Sequence, residues 1–347
     1  MEGKRFIIPI FISHVGCRHR CIYCDQGRIA HPVATIPTPE QIAAEIERYL
    51  KLGARKRKNC QTVQAALYGG SFTALPLETQ KKLLHSVTPF LEAGKVHSLR
   101  ISTRPDCCSP ASLAILKQHK VATIELGVHS LDDEVLRISE RGYTKEEVCK
   151  AVRKLHQGNF EIGIQLMIGL PGDCAKTFAS SVEGVIELRP HFIRLYPTVV
   201  IKGTRLEQWF LQGRYRPLAL AEAITLAKGA LQRFRQARIP VIRMGLQPTP
   251  SLGAPGAIVA GPFHPAFGQL VESSLLFEQA VSLLEASKIE GWSSPTFLIA
   301  PKDISTFYGQ GGQNIRRLRE TFGLREIIVK PDPQQRRGTV SLSSSSC

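Results

Sequence analysis

The 347 residues carry 45 Lys and Arg against 29 Asp and Glu, a formal net charge of +16 with a pI near 9.6, and 43% of them are hydrophobic. Such a chain can bury one large core and a smaller one, which makes it a soluble globular protein and excludes a small disulfide-stapled scaffold. The cationic surplus points to a polyanionic partner, nucleic acid first, and nine cysteines scattered along a long chain favour a reducing, cytoplasmic compartment.

The N-terminal stretch MEGKRFIIPIFISHVGC imitates a signal peptide, but its apolar part is short, holds Pro9 and lacks a small-residue cleavage site. No run reaches the length needed to span a bilayer, so no membrane role is expected. Phe6–Ile12 reads instead as a first strand, and directly after it Cys17, Cys21 and Cys24 stand in a C-x3-C-x2-C spacing. Thiolates suit zinc or iron–sulfur clusters, and three on one short loop can converge on one centre. A closed zinc site wants four ligands, which His14 or His19 would have to complete, whereas a cubane held by three cysteines leaves one iron open. The other six cysteines show no second ligand spacing.

Five further β-rich runs follow, Val63–Tyr68, Ser98–Ser102, Thr123–Val128, Glu161–Ile168 and Phe192–Tyr196. They alternate with helical patterns at Pro39–Leu52, Leu77–Leu91, Pro110–His119, Lys145–Gln157, Ala175–Leu188 and Leu218–Ala237. The alternation predicts a parallel sheet of six βα units, an α/β fold, with the chemistry at the strand C-terminal ends. The informative residues fall there. Gly69 and Gly70 let the backbone approach a small ligand after the second strand, and Ser71 follows them. Ser102, Arg104 and Asp106 follow the third, where Arg104 is either a ligand contact or half of a rim ion pair with Asp106 or Glu125. Gln165 puts an amide where a buried strand prefers an apolar side chain, so it needs a partner, in the ligand or in the core. Gly169-Leu170-Pro171-Gly172 then makes a tight turn.

C-x3-C-x2-C with Tyr23 before the third cysteine resembles the signature of radical S-adenosylmethionine (radical SAM) enzymes. The strings Ile101–Asp106, Glu125–Asp133 and Ser139–Thr144 are similar to those of the radical SAM domain of the Elongator catalytic subunit. The resemblance implies a partial (β/α)6 TIM-like barrel, a [4Fe-4S] cluster on Cys17, Cys21 and Cys24, and SAM chelated to the open iron and cleaved reductively to a 5′-deoxyadenosyl radical. It further implies SAM contacts from Tyr23, from Gly69 and Gly70 on the amino group with Ser71 in place of the usual Glu, and from Arg141 on the carboxylate. Ser102 and Arg104 would line the rim, Gln165 and Gly169 the adenine side, and Tyr196 the last adenine contact. His129 stands where such relatives carry Gln. A flavodoxin or ferredoxin is the electron donor such chemistry implies. In the Elongator subunit an acetyltransferase domain follows; this chain ends without one, which leaves open whether acetyl-CoA is used.

Past the sixth unit, Val241–Pro248 resembles the extension that closes such barrels, and Gly253–Gly268 reads as a covering loop or a surface connection. From Pro295 a β-α-GxxG-α-β run resembles a minimal KH module, in which Gly309, Gln310, Gly311 and Gly312 would clamp a nucleotide backbone beside Arg316 and Arg317. From Gln313 onward seven basic residues face three acidic ones. A second basic run, Arg55–Lys58, precedes the second strand. The expected domains are a barrel over residues 1–237, a closing extension over 238–290, a KH-like module over 291–335 and a disordered tail over 336–347. Together these features predict a radical SAM enzyme that modifies RNA, plausibly tRNA. The rivals are a radical SAM enzyme with a small-molecule substrate and a nonenzymatic RNA binder with a zinc loop.

Overall fold

The computed structural model describes residues 5–12, 17, 20–25, 36–54, 60, 62–287 and 293–343. His14, His19 and the basic run Arg55–Lys58 lie outside the described residues. The chain divides into two compact units, Met1–Ala219 with Gln232–Phe263, and Leu220–Leu231 with His264–Cys347.

In the first unit the strands β1 (Arg5–Ile12), β2 (Thr62–Gly69), β3 (Ser98–Thr103), β4 (Val121–His129), β5 (Glu161–Ile168) and β6 (Phe192–Pro197) lie side by side in chain order. All pair in parallel, as βαβ connections require. The two-residue period of each strand sorts its side chains onto two faces. One face is apolar: Ile10, Leu67, Ile101, Ile124 and Ile162 stand in register across five strands, each at most 3% exposed. The other face carries Gln64, Arg100, Ser102, Glu125, Gln165 and Arg194, a polar lumen. The result is a partial parallel barrel whose lumen opens toward the strand C-terminal ends.

Helices α1 (Pro39–Leu52), α2 (Leu77–His85), α3 (Thr88–Glu92), α4 (Pro110–Gln118), α5 (Asp133–Ile138), α6 (Lys145–Gln157) and α7 (Ala175–Glu187) intervene. Capping boxes start α1 (Thr38 with Gln41) and α6 (Thr144 with Glu147), satisfying backbone N–H groups that helix geometry leaves unpaired. The single helix expected over Leu77–Leu91 is two, because Pro89 has no N–H to give and its ring would clash with the carbonyl four residues back. After β6 come β7 (Val200–Ile201), α8 (Arg205–Leu211), α9 (Leu220–Gln236), β8 (Val241–Met244) and β9 (Ile258–Ala260). Strand β8 joins the sheet beside β6, so the sheet has seven strands where the sequence predicts six. Its four residues are too few to show a period of two. The Gly253–Gly268 stretch contributes β9, which pairs antiparallel with β7, while Leu252 is buried against Val199 and Ile201.

The second unit holds α10 (Phe267–Ala286), β10 (Thr296–Ile299), α11 (Ile304–Tyr308), α12 (Gln313–Phe322), β11 (Ile328–Pro331) and β12 (Val340–Leu342). Its sheet runs β11-β10-β12, with β10 parallel to β11 and antiparallel to β12. Phe297 and Phe307 form its centre, fully buried with ring centroids 5.2 Å apart. The tail expected to be disordered from residue 336 is instead ordered through Ser343. The buried Asp303 carboxylate accepts from Arg337 (Nη2 at 2.7 Å) and from the Gly338 backbone N–H (2.7 Å), and Val340 then pairs with Ile299. The polar composition that suggests disorder is offset by this one buried charge and its partners.

Candidate active site

The cysteine loop sits directly past the end of β1 and is held by packing. Ile22 and Tyr23 are buried among Met167, Leu170, Tyr196, Leu206 and Tyr215, the Cys24 N–H donates to the Cys21 carbonyl at 3.0 Å, and the Leu206 N–H donates to the Ile22 carbonyl at 2.8 Å. Burial pushes the thiols of Cys17 and Cys24 up in pKa, and Cys21 pushes both further; Arg104 and Arg141 oppose this at Cys17, and Arg141 at Cys24. Thiols held close together in a desolvated place, two of them pushed up in pKa, call for a multivalent cation. Among the described residues, no three His, Cys, Asp or Glu side chains converge on a single-ion site. A lone zinc would draw its thiolates to about 4 Å of one another at a Zn–S bond of roughly 2.3 Å. A cubane instead gives each thiolate its own iron.

The ends of β2 and β3 close on Cys17. The Gly70 N–H ties the end of β2 to β1 by donating to the Ile12 carbonyl (3.0 Å), and the Ser71 backbone bonds to Cys17. The Ser71 side chain is fully buried and faces away, sharing a hydrogen bond with the Thr103 hydroxyl (3.0 Å) and accepting from the Arg104 N–H (3.3 Å). Arg104 makes the expected rim ion pair, a fork onto Asp106 at 2.9 and 3.0 Å, and donates to the Arg141 carbonyl; its Nη1 is buried with no partner. That orphaned donor is what a site for an anionic ligand leaves behind.

Arg141, brought in by the loop after α5, is 4% exposed. Its Nη1 donates to Cys21 Sγ at 2.7 Å, its Nε to the Tyr143 hydroxyl at 2.8 Å, and its Nη2 to the Gly127 carbonyl. The Tyr143 hydroxyl in turn donates to the Gly127 carbonyl at 2.6 Å. Beside them His129 has φ +68°, at the point where β4 slips register against β5, and its Nδ1 is hydrogen-bonded to the Tyr23 hydroxyl. Burial, then Arg141 and Arg104, hold this imidazole well below its ordinary pKa, so it is neutral and accepts at Nδ1 from the tyrosine.

Gln165 faces the lumen, half-buried, with no hydrogen-bond partner among the described residues, as does Ser102. Gly169 has φ +74°, a conformation that favours glycine, and a Cβ there would also press on a Leu218 methyl at 2.6 Å. Tyr196 is buried beside Tyr23 in the same cluster. Below them lies a network that sequence reasoning missed. Glu125 accepts from Arg100 (2.7 Å) and Tyr68 (3.3 Å) at one oxygen and from Arg194 at the other, and Gln64 accepts from Arg100 at 2.8 Å. Its signal was present as one charge inside each of β3, β4 and β6, where a buried strand prefers an apolar side chain.

In the second unit Gly309, Gly311 and Gly312 all have positive φ (73°, 55° and 75°), which favours glycine at each. Asn314 braces the turn from below by donating to the Phe307 carbonyl and to Ser273. Gln310 is exposed; Arg316 Nη1 donates to the Gly311 carbonyl at 2.5 Å, and Arg317 lies over the Phe277 ring at 4.1 Å.

A partial parallel barrel with three grouped cysteines past its first strand and buried guanidiniums beside them defines an iron–sulfur enzyme of the SAM-cleaving class. The chain belongs to the radical SAM superfamily, whose model matches residues 11–183, followed by the Radical_SAM C-terminal domain at residues 190–276. It is a radical SAM enzyme, and its cofactors are a [4Fe-4S] cluster and SAM. An uncharacterized protein of Methanocaldococcus jannaschii is 32% identical over 245 residues, covering 67% of this chain and 73% of that protein. A tRNA uridine(34) acetyltransferase of Dehalococcoides mccartyi is 27% identical over 239 residues, covering 60% of this chain and 52% of that one. The chain thus spans about half the length of the curated acetyltransferases it matches. Archaeal Elp3 of Methanocaldococcus infernus, solved without its N-terminus, superposes with a TM-score of 0.58 at 22% identity, over 83% of this chain and 64% of that one, and shares the fold. Among the described residues no helix is long and apolar enough to cross a membrane.

Proposed function

We propose that this enzyme modifies RNA, most specifically tRNA, with the barrel performing the radical chemistry and the KH-like module holding the nucleic acid. The observation that carries the reading is the glycine turn Gly309–Gly312. It is open to solvent at Gln310 and Gly311, it leads into the first turn of α12 with no side-chain cap, and it stands beside exposed Arg316. Backbone N–H groups without a cap, next to guanidiniums, suit a phosphate backbone. The surplus of positive charge and the relatives named for tRNA uridine(34) support it.

In the barrel, Cys17, Cys21 and Cys24 are the cluster ligands. Bound, the cluster and SAM supply one-electron reductive cleavage to a 5′-deoxyadenosyl radical, the electron coming from a flavodoxin or ferredoxin. The chain's own residues position and shield. Arg141 and the unpaired Nη1 of Arg104 are donors for the SAM carboxylate, and Gly69 and Gly70 with the Ser71 backbone border the amino group. Tyr23 is fixed by His129, and Ser102, Gln165, Gly169 and Tyr196 line the nucleoside side. The reduced thiols accord with a cytoplasmic setting.

The test is the double variant Gln310→Asp with Gly311→Asp. Position 311 is open around its Cα and near the left-handed region, where Asp is among the few tolerated residues, so the module should still fold. Labelled tRNA titrated at several salt concentrations should bind about tenfold or more weakly, with a shallower log–log salt slope as phosphate contacts are lost. Iron content and SAM cleavage without RNA serve as controls. Equal affinity and equal slope would remove the RNA role from this turn.

A further inference from the structure

The lumen contains cationic groups that the SAM site does not use. Gly127, Gln165, Arg194 and Arg243 pair in register across β4, β5, β6 and β8, so all four occupy one row of the same face. Arg243 is there because of an irregularity. Val241 pairs with Ile193 on the apolar face, and a regular strand would keep Arg243, two residues on, on that face too. The register slips between Ile193 and Arg194, however, which turns Arg243 onto the lumen side. Bulges commonly re-aim a side chain in this way.

Charge in this part of the lumen is unbalanced. Glu125 has both oxygens committed, to Arg100 and to Arg194, and it is the one carboxylate in contact with these guanidiniums among the described residues. Arg100 also acts on the Glu161 carboxylate, so the surplus lies with Arg194, which shares Glu125, and with Arg243, which has no carboxylate in contact among the described residues. Arg194, its side chain 22% exposed, is held between the rings of Tyr68 and Tyr196 at 5.5 and 5.3 Å. Arg243 makes a single long hydrogen bond, Nε to the Gly245 carbonyl at 3.4 Å. Partly desolvated guanidiniums in surplus favour an anion, and their planar forks match a carboxylate or phosphate.

We propose that Arg194 and Arg243, presented on one row by the bulge in β8, bind an oxyanion, a carboxylate or a phosphate monoester, on a small second substrate distinct from SAM. The row lies two residues down each strand from Met167 and Tyr196, beneath the level of the cysteine loop. The inference rests on the barrel alone and does not depend on the RNA reading.

The cluster-loaded, SAM-saturated full chain is titrated calorimetrically, anaerobically and at low ionic strength, with acetate in one arm and inorganic phosphate in the other. No RNA is present. One probe should bind saturably at one site, the arm identifying the carboxylate or the phosphate source. Arg243→Gln should weaken that binding about tenfold or more, the usual effect of losing a charge-assisted hydrogen bond. Because Arg194→Gln would strand a buried carboxylate, Arg194→Lys is used in its place; it keeps the charge, loses the fork and should weaken binding several-fold. Saturable heat from neither probe, or an unchanged affinity in Arg243→Gln, would overturn the proposal. So would a SAM affinity that falls in step with the probe's, since the row would then be holding SAM's own carboxylate.

Discussion

Replacing Arg141 by methionine keeps the length of the stem and removes every N–H of the guanidinium. Its consequences for stability and for binding should separate. The Gly127 carbonyl would still accept from the Tyr143 hydroxyl at 2.6 Å, so the groups left without their donors are the Tyr143 hydroxyl oxygen, which goes on donating, and Cys21 Sγ, a weak acceptor. Against these lost bonds stands relief from burying a cation that is 4% exposed. Exchanges of this kind come out near neutral, within about 2 kcal/mol in either direction. Binding has no such offset. If Arg141 meets the SAM carboxylate in this desolvated place, its loss costs about 1.5–3 kcal/mol, roughly a tenfold to hundredfold weaker Kd. The assay is equilibrium dialysis of SAM against anaerobically reconstituted protein, with iron counted on the same samples and urea unfolding of the apoprotein alongside. A SAM affinity within twofold of the parent, at equal iron content, would refute the assignment. Iron lost together with affinity would move the role of Arg141 to the cluster through Cys21.

Cys17→Ala, Cys21→Ala and Cys24→Ala should each lose the iron–sulfur absorbance and SAM cleavage under dithionite, whereas Cys149→Ala on α6 should keep both; cleavage surviving any of the first three would contradict the ligand assignment. Glu161 should supply an acid-sensitive part of stability. Burial raises its carboxyl, but Arg5 and Thr123 outweigh burial and hold it below the ordinary glutamate range. Its stabilisation is therefore complete above the unfolded pKa and is lost as pH falls through the folded one. Glu161→Gln should cost about 1–2 kcal/mol in urea unfolding of the apoprotein at pH 7, with the two proteins converging in acid; a gap that does not change with pH would show that the carboxylate's charge is not what matters.

Local signals settled much of this protein. Six strands and the helices between them were legible because each strand repeats its apolar residues with a period of two and is bounded by glycine, proline or capping residues. The three cysteines were legible because ligand spacing on one loop is a local property. Where the chain had to be read across distance, sequence was silent or misleading. The seventh strand is too short to show a period, and it earns its place by pairing with β6. The tail from residue 336 looks disordered by composition, yet one buried carboxylate, Asp303, orders it. Arg104 could be placed at the rim but not divided between Asp106 and a ligand, since that depends on which of its nitrogens find acceptors. His129 seemed a departure from the family pattern, and only the fold brings it to Tyr23, 106 residues away in the chain. The lumen charges were visible one by one, but their imbalance was not. Chain order and period come from neighbouring residues, whereas register, the bulge that turns Arg243 inward and the desolvation that makes a guanidinium seek an anion exist only once distant strands are packed side by side.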